Sequence, residues 1–216
     1  MINLQKDVPP SYDQESSLET NFDRFFDWGM SLRQPMRQIP EIGERLGIGV
    51  KVHPIGFMVI YLSQHNEGLA TVAIRGEARA DLFPPDVVIN EDIHSHGFNF
   101  YSGVVSGEIA NTRHYPDFNQ RSPDSEGYIG YESSVDVFGN NHTVRATDAT
   151  IVIPTFRTEV LGKGGMYTMA PRIDFHSVSS EAGAITVFCK TPTFEGSDGQ
   201  ALVLRRPDRP PTPEIY

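Results

Sequence analysis

The densest run of side chains able to do chemistry is Ile93-His94-Ser95-His96-Gly97-Phe98-Asn99-Phe100-Tyr101. Successive side chains of a β-strand point to opposite faces, so residues two apart share a face. On a strand, His94 and His96 therefore aim both imidazoles at one point. Two neutral imidazoles are a natural start for a divalent transition-metal site. Alone the pair is a weak signal, because histidine pairs also arise by chance. The same parity turns Phe98 and Phe100 toward the histidines and gives any pocket there an apolar aromatic wall.

A second segment strengthens the metal reading: Gly165-Met166-Tyr167-Thr168-Met169-Ala170-Pro171-Arg172-Ile173-Asp174-Phe175-His176. With it the chain resembles the cupin superfamily. The first cupin motif is an HxH, then a glutamate after three or four residues, then a glycine after six more. Here the three-residue gap leads to Phe100, and Gly107 follows six residues beyond it. The second motif runs glycine, five residues, proline, one, glycine, two, histidine. Gly165, Pro171 and His176 keep that spacing, with Ile173 in place of the middle glycine. The resemblance covers about 85 residues directly. It implies an all-β, double-stranded β-helix barrel over roughly 48–205, with His94, His96 and His176 converging on one metal inside it.

The departure from the motif bears on the chemistry. Phe100 stands where the family carries its glutamate, and neither it nor Tyr101 replaces a carboxylate ligand. The implied site is three neutral histidines, which leaves the metal its full double positive charge and up to three open positions. Such a site favours direct chelation of an anionic substrate, with room for dioxygen. Within the superfamily it resembles the ferrous sites of thiol dioxygenases and diketone-cleaving dioxygenases. No cysteine lies near position 100, so the cysteine–tyrosine crosslink of some thiol dioxygenases cannot form from this motif. Cys189, on a late strand, reads as a small buried hydrophobe.

Around these ligands stand further candidates. Asp92 and Asp174 each precede a proposed ligand by two residues, so either could bind the metal or accept a histidine N–H; a solvated turn position is the competing reading for Asp92. Arg75, Arg113 and Arg172 are candidate anchors for a substrate carboxylate. Tyr101 and Tyr167 flank the ligands and could act as proton donors or line the pocket, against ordinary barrel packing. His114, on an expected strand after Gly107, could face the pocket, but a surface histidine is the favoured reading. His53, His65 and His142, at strand ends or turns, receive no role.

These residues need a scaffold. Ser16 and Glu19 have capping-box spacing, and Leu18, Phe22, Phe25, Phe26 and Met30 share one helical face, so a helix is expected over about 17–33. IPEIGERLGIG reads as a second short helix, with Pro40 near its first turn and Gly47 near its end. From Val50 on the texture changes to short segments rich in Val, Ile, Thr, Tyr and Phe, punctuated by Gly, Asn, Asp and Pro, the pattern of an antiparallel sandwich or barrel. Gly139-Asn140-Asn141 suggests a tight hairpin turn, 116–127 a polar loop, and the proline-rich end an extended tail. The expected organisation is a helical extension over 1–47, the barrel over 48–205 and the tail over 206–216.

Composition narrows the function classes. The chain has 216 residues and a net charge of −10. Such acidity gives no general attraction to phosphate backbones or anionic membranes, so neither nucleic acid nor membrane is expected as a partner. No apolar run approaches the roughly 20 residues of a membrane span. One cysteine excludes an intrachain disulfide, and no signal peptide is recognisable; a cytoplasmic location is the expectation. No glycine-rich phosphate loop, dinucleotide fingerprint or GxSxG elbow is present. The leading expectation is a mononuclear non-haem Fe(II) oxygenase taking dioxygen and a small chelating metabolite: an organic acid, a thiol or an enolisable compound. The competing readings are a redox-neutral isomerase, lyase or hydrolase using Zn, Ni or Mn as Lewis acid, and a non-enzymatic small-molecule binder. A homodimer is expected, because barrel edges and an apolar helix face often pair across a two-fold.

Overall fold

Two helices lead into the strands. Helix α1 spans Leu18–Ser31 and is capped by Ser17, whose backbone is extended and whose side-chain oxygen accepts the Thr20 N–H. The expected box at Ser16 and Glu19 is displaced by one residue: the Ser16 hydroxyl instead donates to Asp13 Oδ2 at 2.7 Å. Helix α2 spans Pro35–Arg45. It begins at Pro35, where the missing N–H costs nothing, so Pro40 falls inside the helix rather than in its first turn and forfeits one i→i−4 bond.

The computed structural model describes residues 8–48, 51–53, 57–62, 70–75, 91–118, 127–135, 142–171, 174–180, 183–191 and 201–206, with backbone alone at 51–53, 75, 132–135, 142–150 and 154. The expected turn at Gly139–Asn141, most of the 116–127 loop, the proline-rich tail beyond Arg206, Arg172, Ile173, His65 and the side chains of Arg75, His53 and His142 lie outside the described residues.

The strands are β1 (Lys51–His53), β2 (Phe57–Tyr61), β3 (Ala70–Arg75), β4 (Ile93–His94), β5 (Phe100–Asp117), β6 (Tyr128–Val135), β7 (His142–Gly162), β8 (Met166–Met169), β9 (Phe175–Ser179), β10 (Ala184–Lys190) and β11 (Ala201–Arg205). Their described pairings are all antiparallel. Six of them run β5–β7, β7–β6, β6–β11, β11–β4, β4–β9 and β9–β5, which returns to its start. That closed ring is a barrel. A second sheet, β1-β2-β3-β10, joins it through the first half of β5, whose other edge carries β8. The chain is thus an all-β barrel of the double-stranded β-helix class with its helices packed outside, as expected.

Strand lengths differ from the sequence reading. β5 has 18 residues and β7 has 21, where several short strands were expected. Each long strand passes from one set of partners to another instead of ending. β5 makes its passage at Gly107, where φ is +75° and a Cβ would collide with the Gly183 carbonyl oxygen. The spacing that identified Gly107 thus marks the hand-over between the two sheets.

Helix α1 lies on the second sheet. Phe22, Phe25 and Trp28 are buried together with Val72, Ile74, Val105, Ile185 and Val187, each large side chain contributing about 1.5–3 kcal/mol of hydrophobic stabilisation. Two glycines let the layers approach. A Cβ on Gly29 would sit 2.8 Å from Val105 Cγ1, and one on Gly103 3.0 Å from Phe22 Cζ.

Candidate metal centre

His94 closes β4, and β4 pairs with β9 so that His94 stands directly opposite His176. Opposed residues of an antiparallel pair have Cβ atoms about 4.5–5.5 Å apart on one face. His96 continues the alternation just past β4. The three rings meet, with centroids 4.7 Å apart for His94–His96, 4.6 Å for His94–His176 and 5.2 Å for His96–His176. One ligand nitrogen from each lies within 4.8 Å of the other two.

Hydrogen bonds fix which nitrogens face inward. Nδ1 of His94 lies 2.8 Å from the backbone oxygen of Asp92. A carbonyl only accepts, so Nδ1 carries the proton and Nε2 the lone pair. Nδ1 of His176 likewise donates to Asn111 Oδ1 at 3.0 Å. Its Nε2 then sits 3.1 Å from Nε2 of His96. Two lone pairs facing each other at this distance repel unless a proton or a cation lies between them. Three converging imidazoles, two of them with Nδ1–H tied back to oxygen acceptors, have the donor set and the outer support of a divalent transition-metal site.

The surroundings are aromatic. Phe100 is buried, with ring centroids 4.6 Å from His96 and 5.8 Å from His176. It fills the place where a carboxylate ligand was missing from the motif. Phe98 packs 5.1 Å from His96. Phe188 on β10 adds a third ring, 4.7 Å from Phe100 and 6.4 Å from His96; the sequence reading missed it.

Other expected residues divide. Tyr167 is buried with its ring 5.8 Å from both Phe100 and His176. Tyr101, one position after Phe100, points to the opposite face and stacks on Phe22 of α1 at 5.6 Å, so strand alternation takes it away from the histidines. Arg113 stands opposite His176 in register, but its guanidinium donates to the Thr168 carbonyl at 2.9 Å and lies 3.6 Å from Asp174 Oδ2. A cavity of about 340 Å³ beside α1 is lined by Arg113, Tyr101, Tyr167 and Phe22.

Asp92 is not a solvated turn residue. It is 6% exposed, and its Oδ2 accepts from Arg205 Nε at 2.7 Å, with Arg205 itself 5% exposed. The pair locks the segment before β4 to β11, and Asp92 then offers its carbonyl to His94. Asp174 accepts the Ala170 N–H at 2.9 Å, which ties the residue before β9 to the end of β8. His114 is half-buried on the outer face, 2.9 Å from Ser177 Oγ; burial first, then the nearby His94, lowers its pKa. Cys189 is buried in the core, and burial pushes its thiol up to about 12.

Asn111 and Arg205 were not singled out in the sequence. Asn111 lies inside EIANTRHY, and only the β5–β9 register brings it to His176. Arg205 ends a strand that the sequence reading did not propose, although ALVLR between polar segments carried an apolar signal.

No protein-family model matches this chain, and no curated protein is detectably similar to it in sequence. Solved structures do resemble it. Drosophila melanogaster CENP-C bound to CAL1 is 7% identical with a TM-score of 0.37, over 66% of this chain and 76% of that one. Hydroquinone 1,2-dioxygenase from Sphingomonas sp. TTNP3 with 4-hydroxybenzoate bound is 14% identical with a TM-score of 0.29, over 56% of this chain and 58% of that one. CapF with the inhibitor 3-isopropenyl-tropolone is 11% identical with a TM-score of 0.41, over 92% of this chain and 43% of that one. The chain therefore spans less than two thirds of the dioxygenase and CapF chains. Its fold is fixed by its own ring of strand pairings.

Proposed function

We propose that the protein is a cupin-type mononuclear non-haem Fe(II) oxygenase acting on a small metabolite that chelates the metal. The observation that carries this reading is the convergence of three imidazole nitrogens, with Phe100 where a carboxylate ligand would stand. His94, His96 and His176 would hold the ion. Ferrous iron, when bound, supplies the one-electron chemistry that dioxygen requires, and a neutral ligand set leaves its charge to be met by an anionic substrate.

The chain's own residues do the rest. Asn111 and the Asp92 carbonyl hold two of the rings in one tautomer and orientation. Phe98, Phe100 and Phe188 keep water from the face of His96 and offer an apolar surface to the substrate's hydrocarbon part. Tyr167 has its ring 5.8 Å from that of His176 and is the candidate proton donor at that edge. Arg113 is engaged by Thr168 and Asp174, so as a substrate anchor it would have to exchange those contacts for a carboxylate. Arg75 and Arg172 keep their candidacy as anchors from the sequence alone.

The test begins with anaerobic purification and metal analysis, followed by oxygen-electrode assays of the iron-loaded protein with carboxylate, thiol and enolisable compounds. Oxygen uptake should require both iron and a chelating substrate, without 2-oxoglutarate, and should disappear in His176→Ala. Phe100→Glu should lower activity by occupying an open position and reducing the net charge. Equal turnover by zinc-loaded protein without oxygen would replace the oxygenase with a Lewis-acid enzyme using Zn, Ni or Mn. Failure to bind any divalent transition metal would leave a metal-free small-molecule binder.

A further inference from the structure

The half of β7 beyond the ring's corner is exposed on both faces. β5 pairs with it from Val152 to Gly162, and β6 pairs only with the half up to Ile151. Among the described residues no strand takes the outer edge of Thr155–Gly162. All six residues from Thr155 to Val160 are exposed, and Phe156 and Val160 are 69% and 60% exposed. An open edge with apolar side chains is a template for another strand. Neither Arg157 nor Glu159 makes an ion pair among the described residues.

The order Thr155-Phe156-Arg157-Thr158-Glu159-Val160-Leu161 is complementary to itself when reversed. An antiparallel pair of two copies about a two-fold axis at Thr158 sets Phe156 against Val160, Arg157 against Glu159 and Thr155 against Leu161, each pair twice. Opposed apolar pairs and opposed unlike charges are the favourable cross-strand combinations. The neighbouring two-fold registers are unfavourable or unavailable. An axis at Arg157 or at Glu159 sets a charge against its own copy, and an axis between residues would oppose side chains that point to opposite faces, which an antiparallel pair does not allow. The outer face confirms the parity: Thr158 Oγ1 lies 2.9 Å from Thr112 Oγ1 and the Phe156 ring 6.3 Å from that of His114, so Phe156, Thr158 and Val160 share one side.

We propose that β7 is the homodimer interface: two copies join edge to edge through Thr155–Leu161 about a two-fold axis at Thr158, continuing the β5–β7 sheet across the dimer. The interface is isologous, so every contact off the axis occurs twice.

Two experiments on the full chain test it. Thr158→Cys places a thiol on the axis next to its own copy, and Cys189 is buried and does not compete. Mild oxidation should give a covalent dimer. Gly162→Cys, at a position with open space around an added Cβ, faces residue 154 of the second copy in this register, which separates the two thiols by eight positions, roughly 26 Å; it should crosslink at least about tenfold more slowly, since a disulfide needs Cα atoms within about 7 Å. In sedimentation equilibrium, Arg157→Glu and Glu159→Arg should each raise the dimer dissociation constant about tenfold or more, and the double swap should restore it to within about threefold by returning unlike charges to opposed positions. Equal crosslinking at 158 and 162, a dimer indifferent to both single reversals, a double variant as weak as the singles, or a wild-type monomer at 100 µM would each overturn the proposal.

Discussion

At the scale of single residues, Asn111 separates holding a metal from holding the fold. Its Oδ1 accepts from His176, while its Nδ2 is buried with no hydrogen-bond partner among the described residues. An orphaned buried amide N–H group costs about 1–3 kcal/mol, so Asn111 is a poor choice for stability alone. Asn111→Leu removes that orphan and fills similar volume, but it releases the His176 ring. The change leaves the buried His176 Nδ1–H without its acceptor in place of the orphaned amide nitrogen, so stability to urea should stay within about 1 kcal/mol of wild type, while cobalt affinity by titration should fall about 10–100-fold. Unchanged affinity would make the contact incidental. The sequence displayed His94 and His96 because strand alternation is local, whereas Asn111 became readable only through register. The same holds for Asp92: beside Asn90 and Glu91 it looked solvated, and its partner Arg205 lies on a distant strand.

At the scale of elements, α1 was legible because its apolar stripe is periodic, and its contact surface was not, because that depends on two glycines of different elements. Gly103 on β5 leaves room for Phe22 and Phe26, and Gly29 on α1 receives Val105 and Val187. Gly103→Ala should cost about 1–3 kcal/mol by overpacking, read as a lowered urea midpoint with unchanged slope. Gly103→Val should push α1 off the sheet, lowering far-UV helix signal and exposing Trp28 to solvent in its fluorescence. If both variants match wild type, the helix does not seat against this strand. The length of β5 and β7 escaped the sequence for a related reason. A strand that changes partners keeps its extended backbone, so Gly107 marks a passage and not an end. β11 escaped because it is only five residues long and lies beside proline-rich sequence.

At the scale of the whole molecule, the three histidines join parts of the chain that are remote in sequence. β4 has only two residues and carries His94 into the ring between β11 and β9, while β9 carries His176. No such arrangement exists in the unfolded chain, so an ion bound there stabilises the native state by RT ln(1 + [M]/Kd), about 2.7 kcal/mol at a hundredfold excess over Kd. For a chain of this size that is a rise of roughly 5–10 °C in Tm. Calorimetry after EDTA treatment, with and without cobalt or zinc, should show this rise under nitrogen as well as in air, because binding needs no oxygen. His176→Ala should abolish it, and Asn111→Leu should reduce it by about 1.3–2.3 kcal/mol, the change the same expression gives for a 10–100-fold loss of affinity. A rise that persists in His176→Ala would place the ion elsewhere, since no remaining pair of the three ligands links β4 to β9.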